Sequence, residues 1–176
     1  MATCILTTDY TFLGCKGGVG GIKKVYMTEW ANLTGTGSAY TEAAGIITVW
    51  TLATGKKFRT YVLDQEMGRF TDPGSYKSES GSIIHEPTIE FTTKDCTIAQ
   101  KVEIELMAKN YLCMIVLDEN GFYWAFGYDR PMDLVTWGND SGQKLDDVSG
   151  NKLTFKGRTS THIKQVTSSL ITALTT

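Results

Sequence analysis

Histidine and cysteine, two residue types that often carry catalysis, are few in this 176-residue chain, and none of them stands in a catalytic pattern. His85 and His162 are the two histidines, and neither has a cysteine, serine or carboxylate at the spacing of a known catalytic motif. His85 adjoins Glu86, but neighbouring residues of a strand point to opposite faces. We therefore predict no catalytic residue and no enzymatic activity.

A glycine-rich segment, Gly-Gly-Val-Gly-Gly at 17–21, invites a phosphate-loop interpretation. It lacks the Gly-Lys-Ser/Thr ending of a phosphate loop, and no third glycine follows at the dinucleotide-binding distance. The segment also precedes a predicted strand, whereas a phosphate-binding loop opens a helix. A flexible turn is the better interpretation, and we predict no bound cofactor.

Metal binding is not indicated either. The chain has four cysteines, Cys4, Cys15, Cys96 and Cys113. They form no CxxC pair and have no histidine at ligand spacing. The acidic segments 118–121 and 146–147 lack the alternating oxygen ligands of a calcium loop. Cys4 and Cys15 could pair across a short loop, but reduced thiols are the expectation because the N-terminus has no secretory signal.

Composition indicates one β-rich domain. Eighteen glycines, three prolines and frequent threonine are typical of sheets with many turns. The formal net charge of −2 provides no basic field for nucleic acid, and no apolar run approaches the roughly 20 residues that span a bilayer. We expect one domain over residues 1–176, with an N-terminal arm at 1–21 and a C-terminal arm at 159–176.

The predicted elements are organised around one helix, which begins near Asp95 and ends before the apolar run at 112–117. Ile98, Val102 and Leu106 recur every four residues and form a stripe on one face. A second apolar patch lies beyond a charged ridge; its members are Ile104, Met107 and Ala108. The helix therefore has two apolar faces, one more than a surface helix of a monomer needs.

A β-hairpin follows the helix. The run 112–117 and the aromatic segment 122–126 flank Asp-Glu-Asn-Gly, in which Asn-Gly is the strongest short hairpin signal. Alternation predicts an inward Leu153 and Phe155 in a strand at 151–157. Further strands are predicted at 22–29, 46–52, 58–66, 75–80, 82–87, 88–92 and 133–137.

The predicted strand 58–66 has an unusually polar face. Thr60, Val62, Asp64 and Glu66 fall on it, and of these Val62 alone is apolar. A long exposed strand of this kind is a template for pairing with another chain. Copies that close a barrel would remove the free edge altogether.

The C-terminal residues predict a short helix that docks on another surface. Ser168 is a suitable N-cap, and the residues on one side of the helix are apolar: Leu170, Ile171 and Leu174.

Three ordered segments, 4–26, 112–124 and 147–155, resemble the major tail tube proteins of tailed bacteriophages that infect Bacteroidetes-type hosts. They carry Cys4 to Tyr26, the apolar run with Asp-Glu-Asn-Gly-Phe-Tyr-Trp, and Asp-Val-Ser-Gly-Asn-Lys-Leu-Thr-Phe. The resemblance spans nearly the whole chain. The chain departs from the family in the loop 139–145 and in the basic segment 156–164.

The resemblance implies a mainly β fold, a β-sandwich or barrel with one flanking α-helix and a long β-hairpin. In such a family hexameric rings stack into a tube, and the hairpin lines a lumen through which DNA is ejected. The implied partners are copies of the chain, other tail proteins and phage DNA that passes without specific binding. The implied location is the virion tail, after assembly in the host cytoplasm and without membrane insertion.

The resemblance also implies roles for individual residues. The lumen-facing acids would be Asp64, Glu66 and Glu79, whose negative charge would keep DNA from adhering. The subunit interface would contain Ile104, Met107 and Ala108, together with Leu170, Ile171 and Leu174. The alternatives are a capsid decoration protein, a head–tail connector ring or, from another class, a monomeric carbohydrate-binding β-sandwich.

Overall fold

The structure is a computed structural model that describes residues 19–34, 39–94, 97–141 and 149–176. Within these ranges the chain is mainly β, as predicted, with one large sheet of 11 strands, one sheet of two strands and three helices. The elements, in chain order, are β1 (Ile22–Glu29), α1 (Ala31–Thr34), β2 (Ala39–Ala43), β3 (Ile46–Thr51), β4 (Arg59–Val62), β5 (Gly68–Thr71), β6 (Gly74–Lys77), β7 (Ser82–His85), β8 (Thr88–Thr93), α2 (Ile98–Lys109), β9 (Leu112–Asp118), β10 (Tyr123–Phe126), β11 (Met132–Asp140), β12 (Gly150–Gly157), β13 (Lys164–Val166) and α3 (Ser168–Thr175).

Strand β9 lies at the centre of the large sheet. It pairs antiparallel with β1 on one side and with β10 and the start of β11 on the other. From β11 the sheet continues through β12 and β8 to β5, and from β10 it continues through β13 and β3 to β2. Strand β4 pairs with β1. The described pairings are antiparallel apart from that of β13 with β3.

The sheet separates two apolar cores, and β9 contributes to both. Leu112, Met114 and Val116 face what we call the helix-side core, which α2 covers. Cys113 and Ile115 face what we call the C-terminal core, which α3 covers. This alternation explains the continuous apolar run of β9, because a strand buried on both faces has no polar side.

The predicted hairpin and two predicted strands are confirmed. Strand β1 has the predicted bounds, β9 and β10 pair around the 118–121 turn, and Leu153 and Phe155 of β12 are buried. Gly121 adopts a φ of 89°, a left-handed conformation that glycine reaches without steric cost.

The predicted strand 58–66 is wrong in its second half. Strand β4 ends at Val62, and Leu63 turns into the helix-side core. The backbone N–H of Met67 then donates to the carbonyl of Asp64 at 3.4 Å, and Glu66 has a φ of 63°. The chain therefore turns at 64–67 before β5, so Asp64 and Glu66 do not continue a strand face.

The C-terminal segment is part of the fold and not a separate arm. Strand β13 lies between β10 and β3, and α3 buries Ile171 and Leu174 in the C-terminal core. Residues 1–18 of the predicted N-terminal arm, with Cys4 and Cys15, lie outside the described residues. Val19 is held by Asn120, whose side chain bonds both the N–H and the carbonyl of Val19 at 3.1 and 2.9 Å.

Strands β6 and β7 form the two-stranded sheet, which projects from the N-terminal end of β8. At its base His85 and Thr159 exchange backbone hydrogen bonds of 2.8 and 2.9 Å, and the N–H of Gly157 donates to Pro87 at 3.0 Å. These bonds extend the β8–β12 ladder, so β7 and β8 follow one line. We call residues 74–85 the projecting hairpin.

No helix in the described part of the chain is both long and apolar enough to cross a membrane.

Candidate functional site

Helix α2 begins at a capped N-terminus. The side chain of Thr97 accepts a hydrogen bond from the backbone N–H of Gln100 at 3.4 Å, as an N-cap does. The predicted cap, Asp95, lies outside the described residues, as does Cys96. At the other end the side-chain amide of Asn110 donates to the carbonyl of Leu106 at 3.0 Å.

In the structure, the two apolar faces of α2 have the opposite roles from those predicted. Ile104 and Met107 are only 7% and 6% exposed and lie in the chain's own helix-side core. The stripe expected to be an ordinary apolar face points outward instead, with Ile98 80%, Val102 52% and Leu106 48% exposed. We call these three residues the outer stripe.

This reversal corrects the predicted subunit interface. Ala108 also packs against the helix-side core, so the patch assigned to a neighbouring subunit is used within the chain. The periodicity of the sequence shows that two faces are apolar, but not which of them meets the sheet. The outer stripe is the face of α2 that remains for a partner.

A hydrogen bond links the helix to β4. The hydroxyl of Tyr61, on β4, donates to Oε1 of Glu103 on α2 at 3.1 Å. Burial, followed by the nearby carboxylate of Glu103, raises the pKa of the Tyr61 hydroxyl well above its usual value. Tyr61 therefore stays neutral and remains a donor to Glu103.

A cleft of about 410 Å³ lies between the C-terminal half of α2 and the chain that leads into β4. Its lining includes Leu106 of the outer stripe and five charged residues, of which three are cations and two are acids: Lys56, Lys57, Arg59, Glu29 and Glu103. None of the three cations forms an ion pair with a described residue. We call this feature the cationic cleft; it continues the apolar surface of the outer stripe. Sequence reasoning missed it because it joins segments about 50 residues apart.

The C-terminal helix, proposed as a second part of the interface, is also used within the chain. Ile171 and Leu174 are buried in the C-terminal core, and Leu170 packs against it. Helix α3 does dock on a surface, as predicted, but that surface is the chain's own sheet and not a neighbouring subunit. These three side chains are therefore not available to a neighbouring subunit.

The three predicted lumen acids are exposed, but they do not lie on one strand. Asp64 forms an ion pair of 2.5 Å with Lys94, a cation that partly offsets its charge. Glu66 lies in the 64–67 turn, and Glu79 lies at the tip of the projecting hairpin. Neither Glu66 nor Glu79 pairs with a described cation.

The projecting hairpin has an apolar pair in water. Tyr76 and Ile83 are cross-strand partners and are 67% and 59% exposed. An isolated two-stranded sheet is marginal in water without packing on one face. Packing against the exposed Tyr76–Ile83 pair would therefore stabilise this hairpin.

The base of the hairpin contains His85, one of the two histidines. Its Nδ1 lies 3.4 Å from Oδ1 of Asp72, whose other oxygen accepts from the backbone N–H of Ile163 at 3.1 Å. The His162 ring lies 6.2 Å from that of His85. Asp72 and His85 thus join the two ends of the hairpin to the 159–163 segment. Their role is structural.

Two apolar surfaces, the outer stripe and the projecting hairpin, thus remain exposed in the folded chain, each beside charged groups without ion-pair partners among the described residues. Exposed apolar patches of this kind are typical of surfaces that contact another protein, because covering apolar area lowers the free energy. Comparison of the chain with family models, with curated proteins and with solved structures found no match.

Proposed function

We propose that this chain is a virion structural protein that assembles into stacked hexameric rings and forms the tail tube of a bacteriophage. The tube is the conduit for DNA ejection and lies in the virion tail, after assembly in the host cytoplasm. The observation that carries the proposal is the apolar surface that one chain leaves exposed on the outer stripe and on the projecting hairpin. The resemblance of the three sequence segments to tail tube proteins supports the specific assembly.

Free strand edges also favour self-assembly. Among the described strands, β4 pairs with β1 alone, and β2 and β5 end the path of the large sheet. Edge strands present unpaired N–H and carbonyl groups that another chain can bond. In a ring of identical subunits, neighbouring copies supply those bonds, and the edges disappear.

The proposed lumen charge rests mainly on Glu66. Its carboxylate is exposed and has no ion pair among the described residues, whereas Asp64 is paired with Lys94. Negative charge on the wall of the tube repels the phosphate backbone and lets DNA pass without binding. Reversing the charge of both acids should slow DNA ejection, and unchanged ejection would contradict the lumen assignment.

Negative-stain microscopy of the purified chain tests the proposal directly. We expect hollow filaments of uniform width, with sedimentation that shows large assemblies at high protein concentration. Closed rings without filaments would favour a connector or a capsid decoration protein. A compact monomer at every concentration would contradict self-assembly.

The carbohydrate-binding alternative lacks a supporting surface. Exposed tryptophans in a groove would favour such a module. All four tryptophans lie among the described residues, and Trp137 alone is largely exposed. One exposed tryptophan does not make the groove of tryptophans on which this alternative depends.

A further inference from the structure

We infer that the projecting hairpin of one copy docks on the outer stripe of the next copy and places Glu79 at the cationic cleft. This inference rests on the proposed self-assembly and names the two surfaces that meet. The occupant is a second copy of this chain, and the contact is head-to-tail, because the two surfaces differ.

The first argument is that the two apolar patches do not cover each other within one chain. The outer stripe and the hairpin pair are all about half exposed or more in the folded chain. Strands β7 and β8 follow one line, so Ile83 lies about 30 Å from the end of β8, where the chain leads into Ile98. Only a second molecule can bring the two patches together.

The second argument is charge complementarity. Lys56, Lys57 and Arg59 line the cleft without ion-pair partners among the described residues. They outnumber the two carboxylates of the lining, Glu29 and Glu103, so the cleft keeps an excess of positive charge. Glu79 is the acid at the hairpin tip, and Lys77 follows Tyr76 in the strand and so points to the other face. The apolar pair of the hairpin therefore matches the apolar outer stripe. Glu79, beyond that pair, matches the cations beyond the stripe.

The third argument is length. Glu79 follows Tyr76 by three residues, of which only Lys77 lies in β6, so the two are at most about 10 Å apart. Leu106 belongs to the outer stripe and also lines the cleft, and one turn of helix, about 5–6 Å, separates it from Val102. A hairpin whose Tyr76 lies on Val102 thus has its tip over the cleft. This position assigns Glu79 to the subunit contact in place of the lumen.

The contact has a consequence for symmetry. Each copy uses its hairpin on one neighbour and its stripe on another, which makes the interface heterologous. Heterologous contacts close into rings or continue as filaments, according to the rotation between copies. Both outcomes are compatible with a tube built from rings.

A cysteine pair tests the contact. The variant Tyr76→Cys with Val102→Cys, under mild oxidation, should give a ladder of covalent oligomers, because every chain carries both halves. Mass spectrometry should find a peptide disulfide that joins positions 76 and 102 between chains. Each single variant should give no such ladder, and neither should Val102→Cys with Lys152→Cys, since Lys152 is exposed on β12 away from the hairpin.

A charge exchange tests the polar half. Glu79→Lys should raise the protein concentration needed for assembly at least about tenfold. Lys57→Glu with Arg59→Glu should do the same, and combining the two changes should restore assembly. The control, Asp133→Lys on β11, should leave the assembly concentration unchanged.

The outcomes separate the contact from the proposed function. If the chain and its cysteine variant assemble but no 76–102 disulfide forms, the contact is overturned and the tube proposal stands. If Glu79→Lys assembles as the unaltered chain does, the placement of the hairpin tip is overturned. If the unaltered chain never assembles, the proposed function fails and the contact fails with it.

Discussion

Asp118, at the end of β9, is a buried carboxylate that holds the hairpin turn. Its Oδ1 accepts from the N–H of Phe122 at 2.8 Å, and its Oδ2 accepts from Nε1 of Trp124 at 3.1 Å. Hydrogen bonds to charged groups contribute about 1.5–3 kcal/mol each. We expect Asp118→Ala to lower the free energy of unfolding by about 2–4 kcal/mol, measured by urea denaturation followed by tryptophan fluorescence.

Two variants control this prediction. Asp118→Asn keeps the oxygen that faces Phe122 but cannot accept from Trp124, so we expect roughly half of the loss. Asp133→Ala removes an exposed acid and should change the free energy of unfolding by less than about 0.5 kcal/mol. An Asp118→Ala chain that unfolds at the same urea concentration as the unaltered chain would show that the carboxylate does not hold the turn.

Cys113 is a thiol that folding should protect. It is buried in the C-terminal core, and burial raises the pKa of the thiol well above its usual value. Alkylation requires the thiolate, so at about pH 8 iodoacetamide should leave Cys113 unmodified in the folded chain. Peptide mass spectrometry should find it fully modified after denaturation. Rapid labelling of native Cys113 would contradict the packing around β9.

At the scale of elements, the orientation of α2 can be tested by truncating one residue on each face. Ile104→Ala should lower the free energy of unfolding by about 2–4 kcal/mol, because Ile104 is buried in the helix-side core. Ile98→Ala, on the outer stripe, should change it by less than about 0.5 kcal/mol in the monomer. Denaturation at low protein concentration measures both, and equal losses would contradict the assigned faces.

The sequence predicts local elements best where its pattern has one interpretation. Asn120-Gly121 between two apolar runs specifies the β9–β10 hairpin, and alternation specifies the inward side chains of β12. The approximate ends of helix α2 are also predicted, because its apolar residues recur at helical spacing. Its orientation is not predicted, because two faces are apolar and the choice depends on Tyr61 and Leu153, which are distant in sequence.

The elements that sequence reasoning missed have weak local signals. Strand β2 consists of residues that are all exposed, so it has no apolar alternation to detect. Strand β13 is three residues long and exists because β3 and β10 flank it. The strand ends after Val62, at Leu63, whose side chain is buried in the helix-side core. The cationic cleft is likewise a product of tertiary packing.

For the whole molecule, assembly links stability to concentration. Because the assembled state is favoured by mass action, the melting temperature of the unaltered chain should rise over about a hundredfold increase in protein concentration. Ile98→Asp places a charge on the outer stripe, so its melting temperature should be independent of concentration and equal to that of the dilute unaltered chain. Differential scanning calorimetry measures both.

A variant at another exposed position controls for the effect of a new surface charge on the melting temperature. Lys152→Asp changes an exposed side chain on β12 and should keep the concentration dependence of the unaltered chain. A concentration-independent melting temperature for all three chains would contradict self-assembly. A lower melting temperature of Ile98→Asp in dilute solution would mean that Ile98 supports the monomer fold.

The central position of β9 has a consequence for how the molecule opens. Leu112, Met114 and Val116 complete one core while Cys113 and Ile115 complete the other, so neither core can lose this strand alone. Partial unfolding that spares one half is therefore disfavoured, and the amide protons of β1 and β10 should exchange with solvent through a single global event. A shift of β9 by one residue would exchange the side chains of the two cores, which leaves the strand a single permitted register.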